Sequence, residues 1–331
     1  MAGTLSDELA QIIDLTITYS SGSAPPVQAL DRARLEIHRG EVVGLLGESG
    51  SGKSTLASAI LRLLPLNAQR ASGRVVFRGR DLLTLPEPEL RKVRGKELCL
   101  ISQDPALALN PVIRVGDQIA EVIRAHMPML SSDRKQRVEQ LLQSVGLEQP
   151  EQIYSAYPHQ LSGGQRQRVA IAQAIACHPL LVIADEPTSK LDATTQAEIT
   201  SLLSEIRTQH GTAFLLISHD PTIFPGFADR ILVMYAGRIV EEGKTGDIFR
   251  RPLHPYTEAL IRLSERHILT ARSSRVRLPA VNGEAPDLTR TGAGCRFEPR
   301  CPEKMPACLN RDPEALMPEP SHRVSCFKYG N

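Results

Sequence analysis

The sequence has 331 residues, enough to bury a large core, and this length suggests about two domains, or one domain with additions. Its 39 basic and 37 acidic residues are interspersed and give a formal net charge of +2 at pH 7, which disfavours nucleic acid as a partner. The N-terminus shows no basic start followed by an apolar stretch, and no window reaches the roughly 18 apolar residues that span a bilayer. We therefore expect a chain that stays in the cytoplasm.

Apolar runs typical of β-strands alternate with helical patterns along the chain, which predicts an α/β fold with helices packed on a sheet. The earliest runs are not separated by helix and predict an antiparallel β portion near the N-terminus. Helical spacing at 115–126 and 133–145 predicts a small helical subdomain at about residues 111–165. The predicted strands are 11–19, 33–37, 74–77, 97–101, 180–184, 213–217 and 231–235.

A glycine-rich motif follows the predicted strand 41–46 and precedes the helical pattern 56–64. It fits G-x-x-x-x-G-K-[ST], and this strand, loop and helix context disfavours a glycine turn without a ligand. The glycines let backbone N–H groups approach the phosphates of a nucleoside triphosphate, while Lys53 supplies charge and Ser54 offers a hydroxyl to Mg²⁺. The predicted nucleotide contacts are Gly47, Ser49, Gly50, Ser51, Gly52, Lys53, Ser54 and Thr55.

Polar residues also stand at the ends of three other predicted strands. Asp185 and Glu186 close the run 180–184, where ligands collect in open α/β sheets. Asp185 is the natural Mg²⁺ partner, and Glu186 would act as base or orient the attacking water, although exposed loop acids are the alternative. Gln103 and His219 follow two further strands, where lone polar residues are usually structural.

The end of the helical region reads Leu161-Ser162-Gly163-Gly164-Gln165, followed by Arg166-Gln167-Arg168-Val169-Ala170. This segment resembles the signature motif of ATP-binding-cassette (ABC) ATPases. The other motifs stand in the order of that family over residues 10–245: phosphate loop, Q-loop at Gln103, signature, acids ending at Glu186, D-loop at Ser189-Lys190-Leu191-Asp192, and switch histidine His219. The resemblance implies a P-loop NTPase fold of the ABC nucleotide-binding type, with an antiparallel β portion, a helical subdomain and a small Cys-rich C-terminal extension.

The resemblance also implies roles that the residues alone leave open. Gln103 would sense Mg²⁺ or the attacking water, and His219 would hydrogen-bond the γ-phosphate. Tyr19 would stack on adenine, with a packed strand-end tyrosine as an equal alternative. The signature motif, at a helix N-terminus, would form a second anion-binding surface that faces the ATP of a partner subunit. With Asp192 of the D-loop, this arrangement implies a head-to-tail dimer with composite sites.

Three further segments are Gln103-Asp104-Pro105 with Leu109-Asn110-Pro111, Val115-Gly116-Asp117-Gln118-Ile119, and His254-Pro255-Tyr256-Thr257. Together they resemble the ATPases of bacterial dipeptide and oligopeptide importers, a branch that includes nickel and glutathione systems. This resemblance implies an ATP-hydrolysing subunit, peripheral on the cytoplasmic side of the inner membrane. It implies as partners a second, related ATPase subunit, two membrane permease subunits and, indirectly, an extracytoplasmic solute-binding protein. The expected domains are a nucleotide-binding domain at 1–250 and a C-terminal extension at 251–331.

Two other functions are disfavoured. A soluble ABC ATPase that acts on nucleic acid or the ribosome would carry tandem cassettes, coiled coils or zinc-bearing inserts, whereas this chain has one cassette and balanced charge. A subunit that binds ATP without hydrolysing it is opposed by the intact Glu186 and His219. One departure from the family pattern is Lys190, since a small residue is common at that place in the D-loop.

Cys99 and Cys177 are predicted to be buried, inert thiols. Four other cysteines lie in a proline-dense tail that has too little apolar content to bury a core of its own. A reducing cytoplasm disfavours disulfides, and the spacing C-x5-C-x6-C-x17-C leaves zinc, an iron–sulfur cluster and free or paired thiols open. The tail resembles that of peptide-importer ATPases that carry a 4Fe-4S cluster, which implies such a cluster here, with Zn²⁺ as the alternative. The predicted ligands are Cys295, Cys301, Cys308 and Cys326.

Overall fold

A computed structural model of the chain describes residues 7–21, 24–270, 283, 286, 288–289 and 292–330. The expectation that the N-terminus has no basic start followed by an apolar stretch rests largely on residues 1–6. These residues lie outside the described part of the chain. The chain divides into two compact units. Unit 1 is built mainly from Thr84–Ile217, and unit 2 from Ala10–Ile37, Val42–Leu83 and Ser218–Asn331.

Strands and helices are numbered separately, each in chain order. The strands are β1 (Glu8–Ser21), β2 (Ala24–His38), β3 (Val42–Leu46), β4 (Ala68–Phe77), β5 (Arg80–Asp81), β6 (Leu98–Ile101), β7 (Leu181–Asp185), β8 (Ala213–Ser218), β9 (Arg230–Tyr235), β10 (Arg238–Lys244), β11 (Leu316–Glu319) and β12 (His322–Val324). The helices are α1 (Lys53–Ile60), α2 (Glu87–Val93), α3 (Pro105–Ala108), α4 (Val115–His126), α5 (Ser131–Ser144), α6 (Pro150–Ser155), α7 (Gly163–Ile175), α8 (Ala193–His210), α9 (Thr245–Arg250), α10 (Pro255–Thr270) and α11 (Pro306–Asn310).

Unit 1 combines a parallel sheet with several helices. Strand β7 pairs in parallel with β6 on one side and with β8 on the other. Every residue of β8 is buried, as expected for a continuous apolar run in a parallel strand. The sequence prediction of helices at 115–126 and 133–145 is confirmed by α4 and α5, and α4 buries Val115, Ile119 and Ile123 at helical spacing.

Unit 2 holds an antiparallel sheet in the order β2, β1, β4, β5, which confirms the antiparallel portion predicted near the N-terminus. A second set of strands runs in the order β11, β12, β10, β9, β3. Strands β3 and β9 pair in parallel, and β10 pairs antiparallel with both β9 and β12. Every residue of β3 is buried, so this strand is a firm base for the loop that follows it.

In the part of the chain that the structure describes, no helix is both long and apolar enough to cross a membrane. The described part of the C-terminal region contains regular elements that the sequence does not indicate. Strand β12 joins β10 through the pair Glu241 and Val324, and α9 and α10 precede it. The strands there have only three or four residues, too few for an alternating pattern to be visible in the sequence.

Candidate functional site: a phosphate loop and the strand-end residues

The predicted phosphate loop connects β3 to α1 in unit 2. Gly52 at the helix N-cap has φ +109°, a left-handed conformation that favours glycine. Lys53 Nζ donates to the carbonyl oxygens of Gly47 at 2.7 Å and Glu48 at 2.9 Å, so the buried lysine folds back across the loop. Ser54 is exposed in the first turn of α1, and its hydroxyl is the hard oxygen donor that Mg²⁺ prefers.

Packing within unit 2 explains why glycine stands at two loop positions. A Cβ on Gly47 would lie 2.3 Å from the carbonyl oxygen of Met234, and one on Gly52 would lie 2.6 Å from that of Ala29. Gly50 has φ +80° and open space where its Cβ would be. A side chain at Gly47 or Gly52 would therefore clash with a neighbouring strand, whether or not phosphate is bound. Gly50 is glycine because its backbone adopts a left-handed conformation.

Tyr19 lies near the end of β1 and is half-buried. Its hydroxyl is 3.2 Å from Thr55 Oγ1, so the tyrosine contacts the first turn of α1. Stacking of its ring on adenine stays a prediction. His219, the predicted switch histidine, also belongs to unit 2 and is exposed directly after β8.

Two of the predicted catalytic residues meet in unit 1. Gln103 follows β6, Glu186 follows β7, and Gln103 Nε2 donates to Glu186 Oε2 at 2.7 Å. Glu186 has φ +48°, uncommon for a residue with a side chain, and its N–H donates to the carbonyl oxygen of Ile217 at 2.9 Å. Asp185 ends β7 and is half-buried. The parallel sheet thus holds an amide and a carboxylate in contact at the carboxyl ends of its strands.

The signature motif forms the start of α7. The Ser162 hydroxyl accepts a hydrogen bond from the Gln165 N–H at 3.2 Å, and the Gln165 side chain accepts one from the Ser162 N–H at 2.9 Å. This reciprocal capping box fixes the helix N-terminus. Ser162 and Gly163 are exposed. Their predicted contact with the nucleotide of a partner subunit stays a prediction.

The D-loop leads into α8. Asp192 caps that helix, and hydrogen bonds from the N–H and hydroxyl of Thr195 hold the pKa of its carboxyl below the usual value. Lys190, the departure from the family pattern, places its Nζ 2.5 Å from Asp104 Oδ2. This hydrogen bond lowers the pKa of Asp104 and ties the D-loop to the residue after Gln103.

Three residues to which the sequence analysis assigns no role form a contact network at the phosphate loop. Glu48 donates its N–H to the hydroxyl of Tyr256 at 2.8 Å, and its carboxylate accepts two hydrogen bonds from Arg300. Glu48 occupies a variable position of the loop motif, so the motif carries no signal for it. Tyr256 stands out in the sequence only as part of the segment His254-Pro255-Tyr256-Thr257, and Arg300 only as the neighbour of Cys301.

The predicted 4Fe-4S cluster is wrong, and no group of described residues supports the Zn²⁺ alternative. Within the described residues no group of three or more His, Cys, Asp or Glu side chains is placed to hold a metal ion. Cys295, Cys301, Cys308 and Cys326 are free thiols. Burial raises the pKa of the Cys295 thiol to about 11, and the other three tail cysteines raise it slightly further.

Aromatic packing and ion pairs stabilise the C-terminal segment, residues 292–330, in place of a metal. Phe297 is buried, and its ring centroid lies 5.1 Å from that of Tyr235 and 5.5 Å from that of Tyr256. Arg296 pairs with Asp31 at 2.7 Å, with both side chains largely buried. The tail thus buries Phe297 and Val324 against the rest of unit 2 and does not need a core of its own.

Comparisons with known proteins agree with this geometry. The ABC transporter family matches residues 30–189, and the C-terminal region of oligopeptide and dipeptide transporters matches residues 240–308. The oligopeptide transport ATP-binding protein OppD of Escherichia coli (strain K12) is 40% identical over 328 residues, 99% of this chain and 95% of that protein. The dipeptide transport ATP-binding protein DppD of Haemophilus influenzae is 41% identical over 318 residues, 96% of this chain and 94% of that protein.

Solved structures give the same result for the fold. The dimeric post-hydrolysis ATP-binding cassette MJ0796, bound to ADP and phosphate, superposes with a TM-score of 0.64 at 30% identity, covering 72% of this chain and 99% of that one. Fold and phosphate loop define a P-loop ATPase of the ABC class. Within that class, the chain belongs to the family of oligopeptide and dipeptide transport ATP-binding proteins.

Proposed function

We propose that this chain binds and hydrolyses ATP to drive the uptake of dipeptides or oligopeptides through an ABC importer. The observation that carries the proposal is the phosphate loop closed by Lys53 in a chain whose similarity to peptide-transport ATP-binding proteins extends over nearly its whole length. The alternative solutes, nickel and glutathione, have no comparable support among these relatives. We also propose the division into a nucleotide-binding domain at 1–250 and a C-terminal region at 251–331.

The residues present fit ATP and Mg²⁺. The exposed hydroxyl of Ser54, the carboxylate of Asp185 and the amide of Gln103 are oxygen donors of the kind Mg²⁺ takes. When bound, Mg²⁺ neutralises charge that develops on the phosphate oxygens. Lys53 would exchange its bonds to the loop carbonyls for bonds to the β- and γ-phosphates, since its side chain already lies across the loop.

Glu186 would orient the attacking water and accept its proton. Its carboxylate accepts a hydrogen bond from Gln103, so Gln103 is placed to orient Glu186. His219 would hydrogen-bond the γ-phosphate, and Tyr19 would contact adenine. The signature residues and Asp192 would complete the site of a partner subunit.

The proposed assembly contains a second ATPase subunit and two membrane permease subunits on the cytoplasmic face of the membrane, supplied by a solute-binding protein outside. The dimer reported for the MJ0796 cassette supports the pairing of two ATPase subunits. Copurification of the tagged chain with two polytopic membrane proteins is the expected result. Stimulation of its ATPase activity by DNA or ribosomes, without such partners, would contradict the transport proposal.

The catalytic assignment is tested with Glu186→Gln in the assembled transporter. ATP binding should persist, while turnover should fall by roughly 10²-fold or more, because removal of a general base commonly costs that much. Glu198→Gln is a matched control, since Glu198 is an exposed acid on α8 that pairs with Arg168. Turnover that is equal in the two variants would remove Glu186 from the proposed role.

A further inference from the structure

The carboxylate of Glu48, on the phosphate loop, forms a bidentate ion pair with an arginine from the C-terminal segment. Arg300 Nη1 donates to Glu48 Oε2 at 2.7 Å, and Nη2 donates to Oε1 at 3.0 Å. The Arg300 side chain is 5% exposed and that of Glu48 is 32% exposed. Two parallel charge-assisted hydrogen bonds from a planar guanidinium fix both the position and the orientation of the carboxylate.

The main chain of Glu48 is held as well. Its N–H donates to the hydroxyl of Tyr256 at 2.8 Å, and its carbonyl oxygen accepts from Lys53 Nζ at 2.9 Å. Burial of Tyr256 raises the pKa of its phenol, so this hydroxyl stays neutral at physiological pH. The N–H, the carbonyl oxygen and the carboxylate of Glu48 are therefore all hydrogen-bonded. Two of the partners, Tyr256 and Arg300, lie far from Glu48 in the sequence.

The two distant partners share one rigid support. Phe297 packs its ring against those of Tyr235 and Tyr256, which are themselves 4.6 Å apart in an edge arrangement. A short 3-10 turn, Glu298–Arg300, follows Phe297 and carries the arginine to the loop. Arg300 Cζ also lies 5.8 Å from the ring centroid of Tyr235, so the arginine rests on the same buried aromatic cluster.

We propose that Glu48 and Arg300 are positioning residues that set the phosphate loop in its binding conformation, and that ATP binding is thereby linked to docking of the C-terminal segment. The inference deepens the proposed function, because it assumes that this loop binds ATP. A loop with three glycines loses conformational entropy when its N–H groups converge on phosphates. A loop that is already held at Glu48 loses less conformational entropy, so the contact between Glu48 and Arg300 favours nucleotide binding. By linkage, bound ATP favours the docked segment equally.

The test measures the Kd for ATP of the full chain at equilibrium, together with kcat and KM of the assembled transporter. Arg300→Gln and Glu48→Gln should each raise the Kd about tenfold, the loss expected for one charge-assisted contact. The double variant should be no weaker than either single variant, because both remove the same pair. Since the effect lies on binding, kcat at saturating ATP should stay within about twofold.

Two variants separate positioning from general damage to the fold. Tyr256→Phe keeps the ring packing and removes only the hydroxyl that holds the Glu48 N–H, and it should raise the Kd about threefold. Lys304→Gln removes an exposed cation from the same segment, where it pairs with Glu298 at 3.1 Å, and it should leave the Kd unchanged. Circular dichroism and thermal unfolding identify any variant that has lost its fold, and Arg300→Lys then tests the same contact with the charge kept.

The reciprocal effect is measured by hydrogen exchange. ATP should slow amide exchange at residues 295–301 in the wild type and should not do so in Lys53→Ala, which loses the phosphate contact. If the wild type fails to bind ATP, the proposed function fails. If the wild type binds ATP and Lys53→Ala does not, while Arg300→Gln and Glu48→Gln bind as tightly as the wild type, the linkage is overturned and the ATPase proposal stands. Additive losses of ATP affinity in the double variant would also overturn the linkage.

Discussion

We expect Glu241→Ala to destabilise unit 2 strongly, because it removes a buried carboxylate with three partners. Glu241 is 1% exposed, and its Oε1 accepts from the Leu253 N–H at 2.7 Å while its Oε2 accepts from the His254 N–H at 2.8 Å. His322 Nε2, also buried, lies 2.7 Å from Oε1 and donates when it carries a proton. One carboxylate thus joins β10, the start of α10 and β12.

The magnitude follows from the donors that would be left unsatisfied. Each buried donor without an acceptor costs about 1–3 kcal/mol, and removal of one partner from a buried charged network costs about 3–5 kcal/mol in total. Glu241→Gln can keep the oxygen that serves Leu253 and His322, but its amide group then faces the His254 N–H. We therefore expect Glu241→Gln to lose about 2 kcal/mol, less than Glu241→Ala.

The assay is urea unfolding of the full chain, followed by hydrogen exchange at the β12 amides. Glu242→Gln is the matched control, since the neighbouring acid is partly exposed, pairs with Arg230 at 2.5 Å, and should cost no more than about 1 kcal/mol. A loss below about 1 kcal/mol for Glu241→Ala, with unchanged protection of β12, would refute the reasoning.

Three further predictions concern the same chain. Burial lowers the pKa of His254 to about 4, and its Nδ1 must stay unprotonated to accept from the Tyr256 N–H at 3.1 Å. Because the unfolded histidine binds its proton near pH 6.5, the free energy of unfolding should fall by about 3 kcal/mol from pH 6.5 to pH 4, a slope that His254→Asn should remove in urea titrations. Phe297→Ala should cost about 3–4 kcal/mol in urea unfolding, whereas Phe327→Ala, at a partly exposed ring, should cost clearly less; equal losses would contradict the aromatic support. Lys190→Ala should change the free energy of unfolding by less than about 1 kcal/mol, because its partner Asp104 is at the surface; a larger loss would make this ion pair structural.

Much of the site could be predicted because local sequence dictates it. The apolar run of β3, the glycines and the helix after Lys53 are contiguous, so one motif specifies strand, loop and helix together. The contact between Gln103 and Glu186 is also foreseeable in outline, since both residues end neighbouring parallel strands. Their hydrogen bond itself depends on the left-handed backbone at Glu186, which no sequence pattern announces.

The contacts of the C-terminal segment could not be predicted in this way. Arg300 and Glu48 are 252 residues apart, and neither residue type nor spacing indicates that they meet. The four tail cysteines suggested a metal because the segment by itself lacks a core. Phe297 resolves that difficulty by packing on Tyr235 and Tyr256, aromatic residues contributed by β9 and α10. Stability gained from distant partners leaves no local periodicity to detect.

Strand β12 has a consequence for how the chain tolerates truncation. By pairing with β10 it occupies backbone donors and acceptors that would otherwise stand open to other molecules. The outermost position then passes to β11, a four-residue strand that contains Pro318 and pairs irregularly, features that discourage intermolecular strand addition. A polypeptide ending before residue 316 would present the longer β10 instead, and would be prone to aggregate even with its nucleotide loop intact.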